Sequence, residues 1–124
     1  MYTFTKEERL CNKRLIDSLF HSGSSFLCYP FRVSWLVNHE IPTPAQVLFA
    51  VPKKRFKHAT DRNLLKRRMR EAYRLNKQGQ LYNSLGETKL ILALNYVGKE
   101  IEPYELIQKK MVKLLGQLTA ELAK

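Results

Sequence analysis

The stretch VPKKRFKHATDRNLLKRRMREAYRLNK, residues 51–77, predicts the end of a strand followed by a long basic helix. Between residues 53 and 77 it carries eleven of the chain's 22 basic residues and two of its eleven acidic ones, and therefore nine of the eleven net positive charges. Such a run of like charge repels itself, and a phosphate backbone is the commonest partner that offsets the repulsion. We therefore predict that the chain binds nucleic acid.

The helix predicted over residues 62–77 separates a basic arc from an apolar one. At about 100° per residue, four apolar side chains share an arc that can face a core: Leu65, Met69, Ala72 and Tyr73. The adjoining arc holds Arg62, Asn63, Lys66, Arg67, Arg70, Arg74 and Lys77. Arg68 lies outside this basic arc. The helix is thus predicted to pack one face against the core and to present the adjoining face to a polyanion.

A solvated helix face is the alternative explanation of this charge run. A face of that kind usually alternates its charges to form i,i+4 pairs, whereas here the cations gather on one side. Arginine outnumbers lysine five to two over residues 62–77, and its planar guanidinium suits phosphates and base edges. Thr60 or Asp61 is the predicted N-cap, which places Arg62 and Asn63 at the positive end of the helix dipole. The pattern favours nucleic-acid binding.

Length and composition are those of a single domain over residues 1–124 with a real core. No apolar run approaches the ~20 residues of a membrane span, so no membrane association is expected. Charged residues 6–9 stand where a secretory signal would be apolar, which predicts a cytoplasmic protein. Cys11 and Cys28 lack the spacing of a zinc site and are expected to be reduced, structural thiols.

Hydrophobic periodicity predicts an α+β fold, an α/β sandwich with a small mixed sheet and the order α-β-β(-β)-α-β-α. The elements are a helix over 6–21, a strand Phe31 to Val37, a central strand Val47 to Val51 that is apolar on both faces, the basic helix, a loop at Gly79 and Gly86, a strand Lys89 to Val97 and a helix starting near Pro103. The last helix has an apolar core stripe: Ile107, Met111, Leu114, Leu115, Leu118 and Leu122.

Residues for catalysis by the protein alone are not apparent. A nuclease needs clustered carboxylates for metal ions or a pair of histidines, whereas His21, His39 and His58 are far apart in sequence. His58, beside the basic helix, is more typical of a solvated or phosphate-contacting group than of a general base. No phosphate-binding loop motif or GxGxxG is present, so nucleotide hydrolysis is not expected.

The motif residues resemble those of the bacterial ribonuclease P protein family. Its signature, Arg-Asn-x-x-Lys-Arg-x-x-Arg followed by Glu or Gln after a strand ending Val-x-Lys-Lys, is matched by Val51, Lys53, Lys54, Arg62, Asn63, Lys66, Arg67, Arg70 and Glu71. Phe20-His21-Ser22-Gly23 is similar to the end of the family's N-terminal helix. The resemblance implies a fold like that of the second domain of ribosomal protein S5, and a subunit of an endoribonuclease whose catalytic centre and Mg²⁺ ions belong to a large RNA.

In such an assembly the protein would bind both the catalytic RNA and the 5′ leader of precursor tRNA, with no obligate protein partner. The resemblance assigns to RNA binding Lys53, Lys54, Arg55, Arg62, Asn63, Lys66, Arg67, Arg68, Arg70 and Arg74. Leader contact is assigned to Phe20, Arg32 and Ser34. Leu64 stands where many members have Arg, so the contact at that position is lost or taken over by Arg68. Ile16 and Ser34 stand where other members have aromatic residues.

Two other functions remain open on the sequence. A ribosomal or other structural RNA-binding protein would bind RNA tightly and affect no cleavage reaction. A self-sufficient nuclease would cut RNA without an RNA subunit and would depend on a carboxylate or a histidine.

Overall fold

A computed structural model describes residues 3–123. Its elements in chain order are a 3₁₀ helix Lys6–Glu8, α1 Lys13–Ser22, β1 Ser24–Cys28, β2 Phe31–Val37, β3 Ala45–Ala50, α2 Ala59–Lys77, a π-helical segment Gln78–Tyr82, α3 Asn83–Leu85, β4 Leu90–Tyr96 and α4 Tyr104–Leu122. This order confirms the predicted α+β class, including the optional third strand before the basic helix, although the sequence prediction placed no strand at residues 24–28. Among the helices of residues 3–123, none combines the length and apolar character that a bilayer crossing requires.

The four strands form one mixed sheet in the order β1-β2-β4-β3. β1 pairs antiparallel with β2, β2 pairs antiparallel with β4, and β3 pairs parallel with β4. β4 lies inside the sheet, and Asn95 is its only residue that is not buried. Its near-continuous apolar run is typical of a strand covered on both faces, as the sequence predicted.

Helices cover both faces of the sheet. α2 and α4 pack on one face, over a core that includes Phe31, Val33, Leu92 and Leu94. The predicted stripe of α4 lies in this core: Ile107, Met111, Leu114, Leu115 and Leu118 are buried and Leu122 is partly buried. α1 packs on the other face, where Leu10, Leu15, Leu19, Ile41, Ile91 and Ala93 form a smaller cluster.

The prediction that residues 47–51 form a central strand is wrong, because β3 is an edge strand. Its apolar faces have a different cause. Val47 and Phe49 pack into the core under α2, and Leu48 packs against the cluster under α1. The outer edge is partly covered by the N-terminal segment, since the Leu10 N–H donates to the Val47 carbonyl at 3.0 Å. An edge strand covered in this way has the composition of a central one.

The predicted helix over residues 6–21 is also two separate elements. After the 3₁₀ turn, Arg9 forms a parallel bridge with Val47 and interrupts the helix. α1 then begins behind Asn12, whose side-chain oxygen accepts from the Leu15 N–H at 3.2 Å. The 3₁₀ turn consists of Lys6, Glu7 and Glu8, none of which is apolar, so hydrophobic periodicity identified α1 but carried no information about the break before it.

Two boundaries of the basic helix differ from the prediction. α2 begins at Ala59 with His58 as N-cap, and no side-chain capping bond is present, so neither Thr60 nor Asp61 caps it. Helical structure then continues through Gly79 to Leu85, where a loop was expected, because Leu81 and Leu85 bury in the core. Gly86 ends it with φ of 59°, a conformation that suits glycine.

Lys77 belongs to the core and not to the basic arc, which corrects the prediction from the helical wheel. The residue is 3% exposed, and its side chain forms an ion pair with Glu8. The ammonium also donates to the Thr3 carbonyl and lies 5.6 Å from the Phe4 ring centroid. The Glu8 carboxylate accepts further hydrogen bonds from Tyr82 and from the Thr5 N–H. This polar cluster fastens the N-terminal segment to the end of α2.

The hydrogen bonds of the cluster also set the protonation of Glu8. Burial by itself raises the pKa of this carboxyl, but the bonds from Lys77, the Thr5 backbone and Tyr82 outweigh it. The pKa of Glu8 is therefore lower in the folded protein than the ordinary value of 4.5. The ionised form is the one that the fold stabilises.

We predict that Lys77→Met lowers the free energy of unfolding by about 3–5 kcal/mol, because it leaves a buried carboxylate without its counter-ion. The matched control is Lys113→Met, which removes an exposed lysine of α4 and should cost no more than about 0.5 kcal/mol. Urea unfolding followed by circular dichroism measures both. Equal losses would contradict the role of the ion pair, and adding Glu8→Gln to Lys77→Met should recover part of the loss.

The lowered pKa of Glu8 predicts the direction of a pH effect. Its contribution to stability is complete above the unfolded-state pKa and disappears as pH falls through the lower folded-state value. The wild-type protein should thus lose more unfolding free energy between about pH 5 and pH 3 than Glu8→Gln does. The measurement is urea unfolding across this range, and parallel pH profiles for the two proteins would argue against it.

Candidate nucleic-acid interface

The outward side of α2 carries an unneutralised basic arc. Its inward side is fixed by Leu65, Met69, Ala72 and Tyr73, all fully buried, as predicted. The adjoining arc presents Asn63, Lys66, Arg67 and Arg70, of which Lys66 is half-buried and the other three are exposed. Among residues 3–123, none of these cations forms a salt bridge. An arc of free cations on a rigid helix is suited to a phosphate backbone.

A basic loop extends this arc beyond the start of the helix. Lys53, Lys54 and Arg55 occupy a turn closed by the Phe56 N–H, which donates to the Pro52 carbonyl at 3.2 Å. Phe56 is buried, and its ring lies edge-on to Tyr96 with centroids 5.8 Å apart. This anchor holds the loop while its three cations remain exposed. We call Lys53, Lys54, Arg55, Asn63, Lys66, Arg67 and Arg70 the basic surface.

Three of the predicted contact residues bond to the protein itself. Arg62 Nη1 donates to the carbonyls of Phe56 and Lys57 at 2.8 and 2.9 Å, so it ties the basic loop to α2. Arg68 Nη1 donates to the Glu102 carbonyl at 2.5 Å, on the loop before α4. Their guanidinium groups therefore position elements of the fold as well as adding charge.

Arg74 is the third of these residues. It forms two bonds with the Glu71 carboxylate, from Nε at 2.9 Å and from Nη2 at 2.6 Å. Hydrogen bonding from Arg74 is the main reason that the pKa of Glu71 lies below its ordinary value. The pair is therefore ionised at neutral pH. The negative charge of Glu71 reduces the field of Arg74 and makes this end of α2 less attractive to phosphate than its middle.

A second candidate surface lies on the sheet face that α1 covers. Residues paired directly across strands project to the same face. Leu27, Arg32, Asn95 and Ala50 are paired in one row across all four strands, at the end of the sheet beyond α1. Leu27 is 58% exposed and Arg32 is exposed. This row is the accessible surface at the bottom of the site, and Arg32 is its one positively charged side chain.

One side of α1 forms the wall of this surface. Arg14 bonds to Glu40 at 3.6 Å, which turns its side of the helix toward the β2–β3 loop. At about 100° per residue, Ile16 and Phe20 lie on the opposite side, facing the row. Phe20 is 54% exposed although it is apolar. We call the row of four residues with Ile16 and Phe20 the sheet groove.

The predicted leader residues are placed unequally in this groove. Phe20 and Arg32 are accessible at its wall and floor, whereas Ser34 is 8% exposed, in the next row under α1. Leu27 and Asn95 were missed because only the strand register shows that they share a face with Arg32. The groove reaches the basic surface, since Ala50 at its β3 end is three residues before Lys53.

Arg9 was also missed by the sequence analysis. It lines a cavity of about 380 Å³ together with Lys66 and Arg70 of the basic surface. No periodic signal marks it, because it stands in the extended segment between two helices. Among residues 3–123, no three His, Cys, Asp or Glu side chains converge as ligands for a metal ion.

Comparison with known proteins gives a consistent result. The profile of the ribonuclease P family matches residues 4–119. The ribonuclease P protein component of Porphyromonas gingivalis is 35% identical over 125 residues, which cover 98% of this chain and 90% of the relative. That of Chlorobium phaeobacteroides is 40% identical over 129 residues, covering 91% and 86%.

Solved structures have the same fold. The RNase P protein of Staphylococcus aureus superposes with a TM-score of 0.66 at 20% identity, covering 94% of this chain and 95% of that one. The RNase P protein from Thermotoga maritima gives a TM-score of 0.68 at 23% identity, covering 89% and 96%. At these identities the likeness shows the fold.

The basic surface generates a prediction for any RNA of mixed sequence. Reversing Arg67 and Arg70 to Glu should weaken binding and make the slope of log K against log salt shallower by about two. The matched control is the pair Lys109→Glu and Lys113→Glu on α4, with the same change in charge at exposed positions. Filter binding at several salt concentrations measures the slopes. Equal slopes for the two double variants would exclude this surface.

Proposed function

Since the chain belongs to the ribonuclease P protein family, we propose that it serves its ribonucleoprotein through two surfaces, one for the catalytic RNA and one for the precursor tRNA leader. It is the protein component of the endoribonuclease that produces the mature 5′ end of tRNA. The family is consistent with catalysis by the RNA subunit, and the protein is not expected to cut RNA alone. We propose that it works in the cytoplasm, where its free thiols Cys11 and Cys28 are normal.

The basic surface is the proposed contact with the catalytic RNA. Its cations come from a loop anchored by Phe56 and from a helix packed on the core, so their spacing is fixed before binding. A preorganised array loses less conformational entropy on binding than a flexible tail. Arg62 supports this contact by tying loop to helix. Arg68 and Arg74 lie at its margin, because their side chains also bond Glu102 and Glu71.

The sheet groove is the proposed contact with the leader. The single observation that carries the proposal is that the open row Leu27, Arg32, Asn95, Ala50 ends three residues before the basic loop. One RNA can occupy the loop and α2 while a single strand continues along the groove. Phe20 at the wall offers a ring for a base, and Arg32 offers a charge for its phosphate.

Magnesium enters this proposal through the RNA. The basic surface lacks clustered carboxylates, so its residues fit phosphate and do not fit a magnesium ion. Metal ions held by the RNA would supply activation of the attacking water and neutralisation of charge at the scissile phosphate. The cations of the protein lower phosphate repulsion where catalytic RNA and substrate meet. The protein should therefore reduce the magnesium concentration that cleavage requires.

The test of this function is cleavage of a precursor tRNA at low magnesium by the protein, by a bacterial ribonuclease P RNA, and by the two together. We expect efficient cutting at the mature 5′ end only in the mixture. A mixture that performs like the RNA alone would overturn it and would favour a structural RNA-binding protein. Cleavage by the protein alone would instead indicate a self-sufficient nuclease.

Phe20 supplies a prediction specific to the groove. Phe20→Ala should weaken substrate binding to the assembled enzyme by roughly 1–3 kcal/mol, because a stacked base loses its ring. Binding to the catalytic RNA and thermal stability should stay unchanged, since the ring is largely exposed. Val37→Ala is the control, as this exposed valine of β2 points to the opposite sheet face. An unchanged substrate affinity with Phe20→Ala would remove it from the groove.

A further inference from the structure

A cavity of about 380 Å³ lies at the margin of the basic surface, between the N-terminal segment, β3 and α2, and shares Lys66 and Arg70 with that surface. Its volume is at the lower end of the range of about 300–1,000 Å³ for small-ligand sites. Phe4, Leu10 and Phe49 contribute apolar lining, and the other lining residues include Arg9, Lys66 and Arg70. The cavity therefore combines an apolar surface with three cations.

The three cations give this cavity a strong preference for anions. Among residues 3–123, Arg9, Lys66 and Arg70 form no salt bridge with a carboxylate. The acid that precedes Arg9, Glu8, is buried and bonded to Lys77, so it does not neutralise them. Three cations beside a concave wall of low dielectric reinforce one another's field more than they would on a flat surface.

The exposed edge of β3 adds hydrogen-bonding groups to the same cavity. The Val47 carbonyl faces away from β4, since it accepts from the Leu10 N–H. In a parallel pair the main-chain groups of alternate residues point to the same side, so those of Phe49 also face the edge. Among residues 3–123, the main chain of the N-terminal segment bridges the main chain of β3 at Val47 alone, and α1 begins soon after it. Phe49 is thus left with main-chain groups that a ligand can bond.

We infer that this cavity binds one unpaired nucleotide of RNA. Its phosphate lies on Arg9, Lys66 and Arg70, and its base lies against the main-chain groups of Phe49 at the edge of β3. The inference rests on the proposed function and extends it, because Arg9 lies outside the basic signature. A duplex does not fit, since its bases are stacked and cannot enter a cavity of this size. The nucleotide comes either from the catalytic RNA or from the precursor tRNA, which share this chemistry.

Cys11 supplies a reporter, because it is an exposed thiol that lines the cavity. The measurement is its rate of reaction with N-ethylmaleimide, resolved by mass spectrometry, in the free protein and with saturating RNA. Buried Cys28 should not react, which checks that the fold is intact. Catalytic RNA alone, precursor tRNA alone and the full assembly are compared, so the RNA that slows the reaction identifies the source of the nucleotide.

Arg9→Gln separates occupation of the cavity from simple coverage by RNA. The basic surface is intact in this variant, so saturating RNA still binds, but the emptied cavity should leave Cys11 reactive. The slope of log K against log salt should also become shallower by about 0.7–0.9, the effect of one lost phosphate contact. Arg14→Gln is the control of equal charge, because Arg14 faces Glu40 away from the cavity. It should keep Cys11 protected.

The outcomes distinguish this inference from the proposed function. If the wild-type protein binds the catalytic RNA and promotes cleavage but Cys11 stays reactive, the cavity is not a nucleotide site. The same holds if Cys11 is protected equally in Arg9→Gln and Arg14→Gln, since RNA on the basic surface alone would then account for it. If the wild-type protein fails to bind the catalytic RNA, the proposed function is overturned and this inference with it.

Discussion

The buried ion pair between Glu8 and Lys77 is the interaction on which the rest of the structure depends. Burying two charges is costly unless every polar atom finds a partner. Here Thr5, Tyr82 and the Thr3 carbonyl supply the remaining bonds. The pair holds the N-terminal segment across the edge of β3, and α1 starts from that segment. The ion pair therefore positions both the Arg9 side of the cavity and the wall of the sheet groove, because Arg9 directly follows Glu8 and α1 begins at Lys13.

The basic surface creates a conflict between folding and binding, and the fold resolves it by anchoring. Cations that await RNA repel one another in the free protein. Burial of apolar side chains offsets this repulsion: α2 buries Leu65, Met69, Ala72 and Tyr73, and the loop buries Phe56. Three arginines at the margins, Arg62, Arg68 and Arg74, are satisfied by carbonyls or by Glu71. Only the outward cations remain for a partner.

Sequence periodicity predicted those parts of the fold in which burial follows a local repeat. The apolar arcs of α2 and α4 and the continuous run of β4 are of this kind, and the structure confirms them. Lys77 escaped prediction because its partner, Glu8, is 69 residues away, and a lysine on a helical wheel gives no sign of such a partner. β3 was misassigned for a related reason: the N-terminal segment that covers its edge is remote in sequence.

The candidate site, like the fold, could be predicted only where its residues lie close together in sequence. The basic loop and α2 carry their charge in one contiguous stretch, so the sequence alone marks them. Leu27, Asn95 and Arg9 come from three separate parts of the chain. Strand pairing brings Leu27 and Asn95 beside Arg32, and the bridge to Val47 brings Arg9 beside Lys66 and Arg70. β4 has a further consequence, since this interior strand is the last of the four to be synthesised. β3 has no strand to pair with until residues 90–96 have left the ribosome, so neither RNA surface can assemble on a nascent chain shorter than this.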